Sequence, residues 1–254
     1  MNRLIPNIFT LFNLFLGCMA IVAVMQSSLT MSVEADGSAV VVLPEKIYLA
    51  SILVACAAVV DFLDGFVARL LKTPSELGKQ LDSLADVVSF GVVPGLIAFQ
   101  FLRFAFAQQE DGLDVNAIWL LPAFVLPCAG AYRLARFNID TSQSYGFKGV
   151  PIPAAGLLIA SFPLIYWYSS QTWVIQLLTN KWFWYGLIIL VSYLMVSTLP
   201  MMALKFKNVT LKDNWPKVLL LLAAVLLALL FQWLAVPLVF IVYVILSLSI
   251  KQGS

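Results

Sequence analysis

Apolar runs near the ~20 residues that a helix needs to cross a bilayer recur along this whole sequence, and they restrict the fold more than any other feature. Eight are readable, at roughly 6–26, 47–70, 78–107, 116–138, 153–170, 182–203, 216–232 and 235–250. Continuous runs of this kind are helical, because strands of a membrane barrel would alternate with period two. The expectation is an all-α polytopic membrane helix bundle of about eight transmembrane helices, one integral membrane domain over 1–254. The last two runs share one tract, 216–250, in which Gln232, Trp233 and Pro237 offer a turn. A single long, tilted helix is the competing reading there. Composition agrees: 11% of residues are charged, against about 25% in a soluble domain.

Charge orients the bundle. With the N-terminus inside, one face receives twelve basic residues, among them Arg69, Lys79, Arg133, Arg136, Lys148, Lys205, Lys207, Lys212 and Lys217. The other receives three, Lys46, Arg103 and Lys181, together with the acids Glu34, Asp36, Glu45, Glu110, Asp111 and Asp114. That bias places both termini in the cytoplasm. A net charge of +2 gives no reason to expect nucleic acid. The first run lacks an A-x-A exit and reads as a packing span, not a cleavable leader.

There is no histidine, which removes imidazole bases and the usual zinc sites, so a metal site here would be built of oxygens. Cys18, Cys56 and Cys128 form no C-x-x-C pair and read as small apolar packing residues. Trp182-Phe183-Trp184-Tyr185 reads as an interfacial aromatic belt.

One stretch breaks the membrane pattern: Asp61-Phe-Leu-Asp64-Gly65-Phe-Val-Ala68-Arg69, followed by Ser75, Gly78, Asp82 and Asp86. An ionised side chain deep in lipid costs at least ~3 kcal/mol. On a helix, Asp61, Asp64, Gly65, Ala68 and Arg69 share one face, as do Gly78, Asp82 and Asp86. Thr73-Pro74-Ser75-Glu76 reads as a capping box with proline at the first helical position, so two helices meet in a tight cytoplasmic turn. Facing carboxylates need a counter-cation, and Mg²⁺ commonly binds through a few carboxylates plus substrate phosphates. Gly65, Ala68 and Gly78 leave room for a bulky ligand, and Arg69 offers phosphate a two-pronged donor. The residues alone imply a metal-dependent, phosphate-handling site at the inner membrane surface. A cation or proton transporter is the alternative from another class; against it, no chain of acids continues across the bilayer.

The run D-x-x-D-G-x-x-A-R followed by G-x-x-x-D-x-x-x-D resembles the signature of the CDP-alcohol phosphotransferases, with all eight fixed residues present. The resemblance implies a six-helix catalytic core, here 1–203, ahead of a basic loop and C-terminal helical hairpin over 204–254. It implies a homodimer in the bilayer, with the site facing the cytoplasm of a bacterial cytoplasmic (inner) membrane. It also implies two divalent cations, Mg²⁺ or Mn²⁺, held by Asp61, Asp64, Asp82 and Asp86, with Asp86 as general base. Asn7, Thr10, Gly65, Arg69, Ser75 and Gly78 would hold the CDP-activated lipid.

Three further stretches resemble the branch of that family that uses serine as acceptor. They are Ile5-Pro6-Asn7-Ile8-Phe9-Thr10 with Asn13, then Leu81 to Gly91, then Tyr132-Arg133-Leu134-Ala135-Arg136-Phe137-Asn138 with Phe147 to Pro153. The implied substrates are CDP-diacylglycerol and L-serine, with Arg133, Arg136, Asn138 and Lys148 on the acceptor side. Arg133 and Arg136 lie three apart and are expected on one helical edge; Pro151 and Pro153 are expected to break the helix there. Glycerol 3-phosphate and inositol phosphate remain alternative acceptors.

Overall fold

A computed structural model describes residues 4–33, 39–70, 75–109, 112–140, 147–202 and 211–249; the side chains of Ala68, Arg69 and Lys212 fall outside it, as do Thr73, Pro74, Lys205 and Lys207. The described chain is helical almost throughout, as expected of a membrane bundle. Helix α1 spans Leu4–Met25 and α2 Tyr48–Leu70. The third run is one continuous helical rod, Glu76–Ala107, made of α3 (Glu76–Asp86), a π-helical stretch (Val87–Val92) and α4 (Val93–Ala107). Helix α5 follows at Val125–Ile139, α6 at Ile152–Tyr168, α7 at Thr172–Leu178 and α8 at Lys181–Val196. The chain closes with α9 (Leu211–Phe231) and α10 (Ala235–Ser249).

The rod α3–π–α4 is the centre of the bundle. Its apolar part is mostly buried, whereas the α1 span is mostly accessible and the α9–α10 tract almost wholly so. Helices α1, α5 and α6 pack directly on its π-helical stretch. Close approach there depends on glycine: a Cβ on Gly156 would lie 2.8 Å from the Cα and carbonyl oxygen of Phe90, and one on Gly17 would collide with Ser89. Around this rod α1 packs along α2, and α5 along α8.

Several expected boundaries move, each for a local reason. The run at 116–138 begins as 3-10 turns (Ala117–Trp119 and Leu121–Phe124), so α5 starts only at Val125. Pro122 and Pro127 withhold the amide donors that a longer α-helix would need. The run at 182–203 stops at Val196, where the chain turns into strand β4 (Pro200–Met201), antiparallel to β3 (Phe147–Lys148). A second small hairpin pairs Thr30–Val33 with Ala39–Val42. Pro151 does not break a helix but caps α6, with Pro153 in its first turn, where a missing N–H is harmless.

The tract 216–250 turns at Gln232, whose φ of 51° is the one positive value at a non-glycine among the described residues. Leu230–Leu234 lie beside Ser169–Gln171 beyond the end of α6, and Ser247 reaches Met202 beyond α8, so α9 and α10 form an antiparallel hairpin. Among the described residues, four helical stretches qualify by length and composition alone to cross a membrane, the α9–α10 tract counted as one, or five if the pair α7–α8, bent by 72°, is one span.

Two side-chain expectations are corrected. Trp184 is not interfacial: it is fully buried, stacks on Phe101 at 4.7 Å and donates its indole N–H to Leu178 O. Trp182 does point outward. Cys18, Cys56 and Cys128 face the outside of the bundle and are not packed within it.

The glycine contacts make a test. Gly156→Ala should cost about 1–3 kcal/mol by overpacking, lowering the thermal midpoint in detergent. Gly186→Ala, with nothing within 4 Å, should be neutral or stabilise by up to about 1 kcal/mol.

Candidate active site

Two buried stripes build the site. On α1 the inward positions are Pro6, Thr10, Asn13, Gly17, Ala20 and Val24, alternating by four and three. From Ile47, just before α2, they run through Ala50, Val54 and Ala57, and the same stripe continues to Asp61 and Asp64. Each follows the helical repeat that keeps one face toward a neighbour. The helices are antiparallel, so the polar end of each stripe meets the other. There the Thr10 hydroxyl donates to Asp64 Oδ2 at 2.6 Å, a short bond of the charge-assisted kind.

The third wall is α3. Ser75 is its N-cap, accepting from the Gly78 amide at 3.0 Å. The cap is thus two residues later than the Thr73 box predicts. Helix α3 places Asp82 against the α2 acids, and one carboxylate oxygen from each of Asp61, Asp64 and Asp82 falls within 4.8 Å of the others. Asp61 and Asp82 come within hydrogen-bonding range of each other. Carboxylates this close need a shared proton or a cation between them. Three hard oxygen donors with room for phosphate ligands suit Mg²⁺ or Mn²⁺.

Asp86 stands one turn deeper, outside that triad but within electrostatic reach of all three acids. It is 6% exposed and accepts from Asn13 Nδ2 at 3.4 Å. The π-helical stretch begins at the next residue, and such bulges gather at functional sites. Its Ser89 hydroxyl donates to Asn13 O at 3.1 Å, tying the stretch to α1. The sequence motif contains Asn13 without implying this role; its signal there is an amide on the same buried stripe of α1 as Thr10.

Beside the triad lies a cleft of about 520 Å³, lined by Asn7, Thr10, Asp64, Gly65, Ser75, Gly78 and Asp82, with Pro6, Glu76 and Lys79. Five of the six residues expected to hold the CDP-lipid therefore line one cavity. The sixth, Arg69, belongs to α2 by its backbone, and its side chain lies outside the described residues.

The four residues expected on the acceptor side part company. Arg133 turns inward, 5% exposed, with Phe137 under its guanidinium at 5.8 Å and Asp86 and Tyr243 as electrostatic neighbours. Its Nε is buried and has no hydrogen-bond partner among the described residues. Arg136 does not share that edge. It donates to the carbonyls of Val196 (2.6 Å), Ser197 (2.8 Å) and Lys148 (3.3 Å), stapling α5 to the end of α8 and to β3. Asn138 donates to Ser83 Oγ at 2.8 Å, while Lys79 Nζ donates to its carbonyl at 3.0 Å, binding α5 to the motif helix. Lys148 forms an ion pair with Asp140 at 3.0 Å. Only Arg133 among the four points toward the aspartates.

A membrane helix bundle with an aspartate triad beside a cleft of this size fits an enzyme that handles a phosphate-bearing lipid. The chain belongs to the CDP-alcohol phosphatidyltransferase family, whose sequence model matches residues 3–182. Among its relatives, the CDP-diacylglycerol–serine O-phosphatidyltransferase of Helicobacter pylori strain J99 is 35% identical over 90% of this chain and 81% of its own. The enzyme of that name from Bacillus subtilis is 39% identical over 40% of this chain and 54% of its own. The archaetidylserine synthase of Methanothermobacter thermautotrophicus is 38% identical over 48% of each.

If the triad holds a divalent cation, Mn²⁺ should raise the thermal midpoint of the detergent-purified protein, by the equivalent of about 2.7 kcal/mol at a hundredfold excess over Kd. Asp61→Asn should abolish that shift while the protein still inserts and elutes as folded. An undiminished shift would contradict the metal assignment.

Proposed function

We propose that the protein transfers the phosphatidyl group of CDP-diacylglycerol to the hydroxyl of L-serine, releasing CMP. The observation that carries this is the line of groups at the inner end of the bundle. The cleft and triad come first, then Asp86, then the buried Arg133 with an open N–H. The names of the relatives supply the acceptor. The proposed topology has eight crossings, with both termini and the site on the cytoplasmic side of a bacterial cytoplasmic membrane and the chain as a homodimer.

The chemistry is an in-line displacement. The serine hydroxyl oxygen attacks the phosphatidyl phosphorus, the bond from that phosphorus to the CMP oxygen breaks, and Asp86 takes the hydroxyl proton. Asp61, Asp64 and Asp82, with Asp86, would hold two Mg²⁺ or Mn²⁺ ions, which when bound neutralise the pyrophosphate and stabilise the leaving CMP. Thr10 fixes the Asp64 carboxylate. Asn7, Gly65, Arg69, Ser75 and Gly78 hold the nucleotide end of the lipid, whose acyl chains stay in the bilayer. Arg133 binds the serine carboxylate by a charge-assisted pair, while Arg136, Asn138 and Lys148 hold the segment around it.

That division bears on the acceptor. Glycerol 3-phosphate or inositol phosphate would bring a dianionic group and call for several cations. Here Arg136 is committed to three carbonyls and Lys148 to Asp140. One buried arginine suits one carboxylate.

CMP release from CDP-diacylglycerol by the purified protein with Mn²⁺ tests this with serine, glycerol 3-phosphate, inositol phosphate or no acceptor. Release should require serine; release with a phosphorylated acceptor instead would overturn the acceptor and keep the site. Arg133→Leu should raise the serine KM at least about tenfold with little change in the lipid KM. Asp86→Asn should lower kcat by about a hundredfold or more.

A further inference from the structure

The family match ends at residue 182, and the hairpin α9–α10 has no part in the roles above. Its second helix nevertheless carries two buried polar residues one turn apart, Tyr243 and Ser247, at 4% and 0% exposure in an otherwise aliphatic stretch. The Tyr243 hydroxyl donates to Met202 O at 3.2 Å. The Ser247 hydroxyl accepts from the Met202 N–H at 3.2 Å and donates to Tyr243 O at 2.7 Å. Helix α10 therefore engages Met202 through both its N–H and its C=O.

Met202 directly follows β4, which is paired with β3. The end of α8 leading into β4, together with Lys148 of β3, accepts all three Arg136 bonds. Helix α10, the β3–β4 strap and the end of α5 are thus one hydrogen-bonded unit. Arg133 sits on α5 one turn before Arg136, with Tyr243 and Asp86 as its electrostatic neighbours. A guanidinium is planar and rigid, so what confines it decides which way its open N–H points.

We infer that Tyr243 and Ser247 are positioning residues of the acceptor site. Their clasp on Met202 holds the strap and, through the three Arg136 bonds at that strap, the end of α5 from which Arg133 projects. This rests on the serine reading above and deepens it. Lipid and metal handling belong to α1–α3, inside the shared family region, and acceptor selection depends on a hairpin beyond it.

The test uses the full chain in detergent with CDP-diacylglycerol and Mn²⁺, varying serine and lipid separately. Tyr243→Phe, which keeps the ring and removes the hydroxyl, should raise the serine KM about tenfold, the scale of one hydrogen bond at a charged site. The lipid KM and the Mn²⁺-induced thermal shift should stay within about twofold of wild type, well under that one-bond effect. Ser247→Ala should move the serine KM in the same direction, and it decides the matter if Tyr243→Phe does not accumulate as folded protein. A serine KM unchanged in the folded variants, or equal rises in both KM values, would overturn the inference. Wild-type protein that releases no CMP with serine would instead overturn the acceptor reading, whatever the variants do.

Discussion

Carboxylates at the facing ends of two membrane helices repel one another and resist leaving water, and the bundle is arranged around that constraint. Asp61, Asp64 and Asp82 are close enough to share one cation, and lipid alone would not tolerate them ionised. They sit where α1 and α2 exchange apolar stripes for polar ones. Thr10 is therefore a neighbour of Asp64 by helix geometry, since each residue continues a stripe that packs the rest of its helix. The central rod α3–π–α4 supplies the third wall, and glycines at 17 and 156 let its neighbours approach.

The proposed acceptor side is organised differently. It depends on side chains of α5 and on a short strap of two paired strands, held by bonds to backbone carbonyls. Arg133 and Arg136 illustrate the contrast. They lie three residues apart on one helix, yet one is buried beside Asp86 and the other is fastened to three carbonyls. A guanidinium with its donors satisfied by the backbone is a poor anion receptor and a good staple.

The aspartate constellation was legible in the sequence because it obeys helical periodicity. Aspartates spaced by three and four must share a face, and two such helices joined by a short turn must present those faces to each other. The long third run and the turn near Gln232 were readable from apolar length and local chemistry. What could not be read depended on tertiary partners. The Arg136 carbonyls lie about sixty residues away. The burial of Trp184 is set by Phe101 across the bundle, and its sequence neighbours look interfacial. The cap shifted from Thr73 to Ser75 because two adjacent segments both offer capping hydroxyls. Tyr243 was invisible in an aliphatic tract until Met202 and Arg133 were placed beside it.

The most direct measurement is anomalous diffraction at the manganese edge from crystals of the protein grown with Mn²⁺ and CDP-diacylglycerol. The account predicts anomalous density bounded by Asp61, Asp64 and Asp82, with the lipid's pyrophosphate against it in the cleft that holds Asn7 and Gly78. Density elsewhere, or a pyrophosphate bound in that cleft with no metal among the three carboxylates, would contradict it.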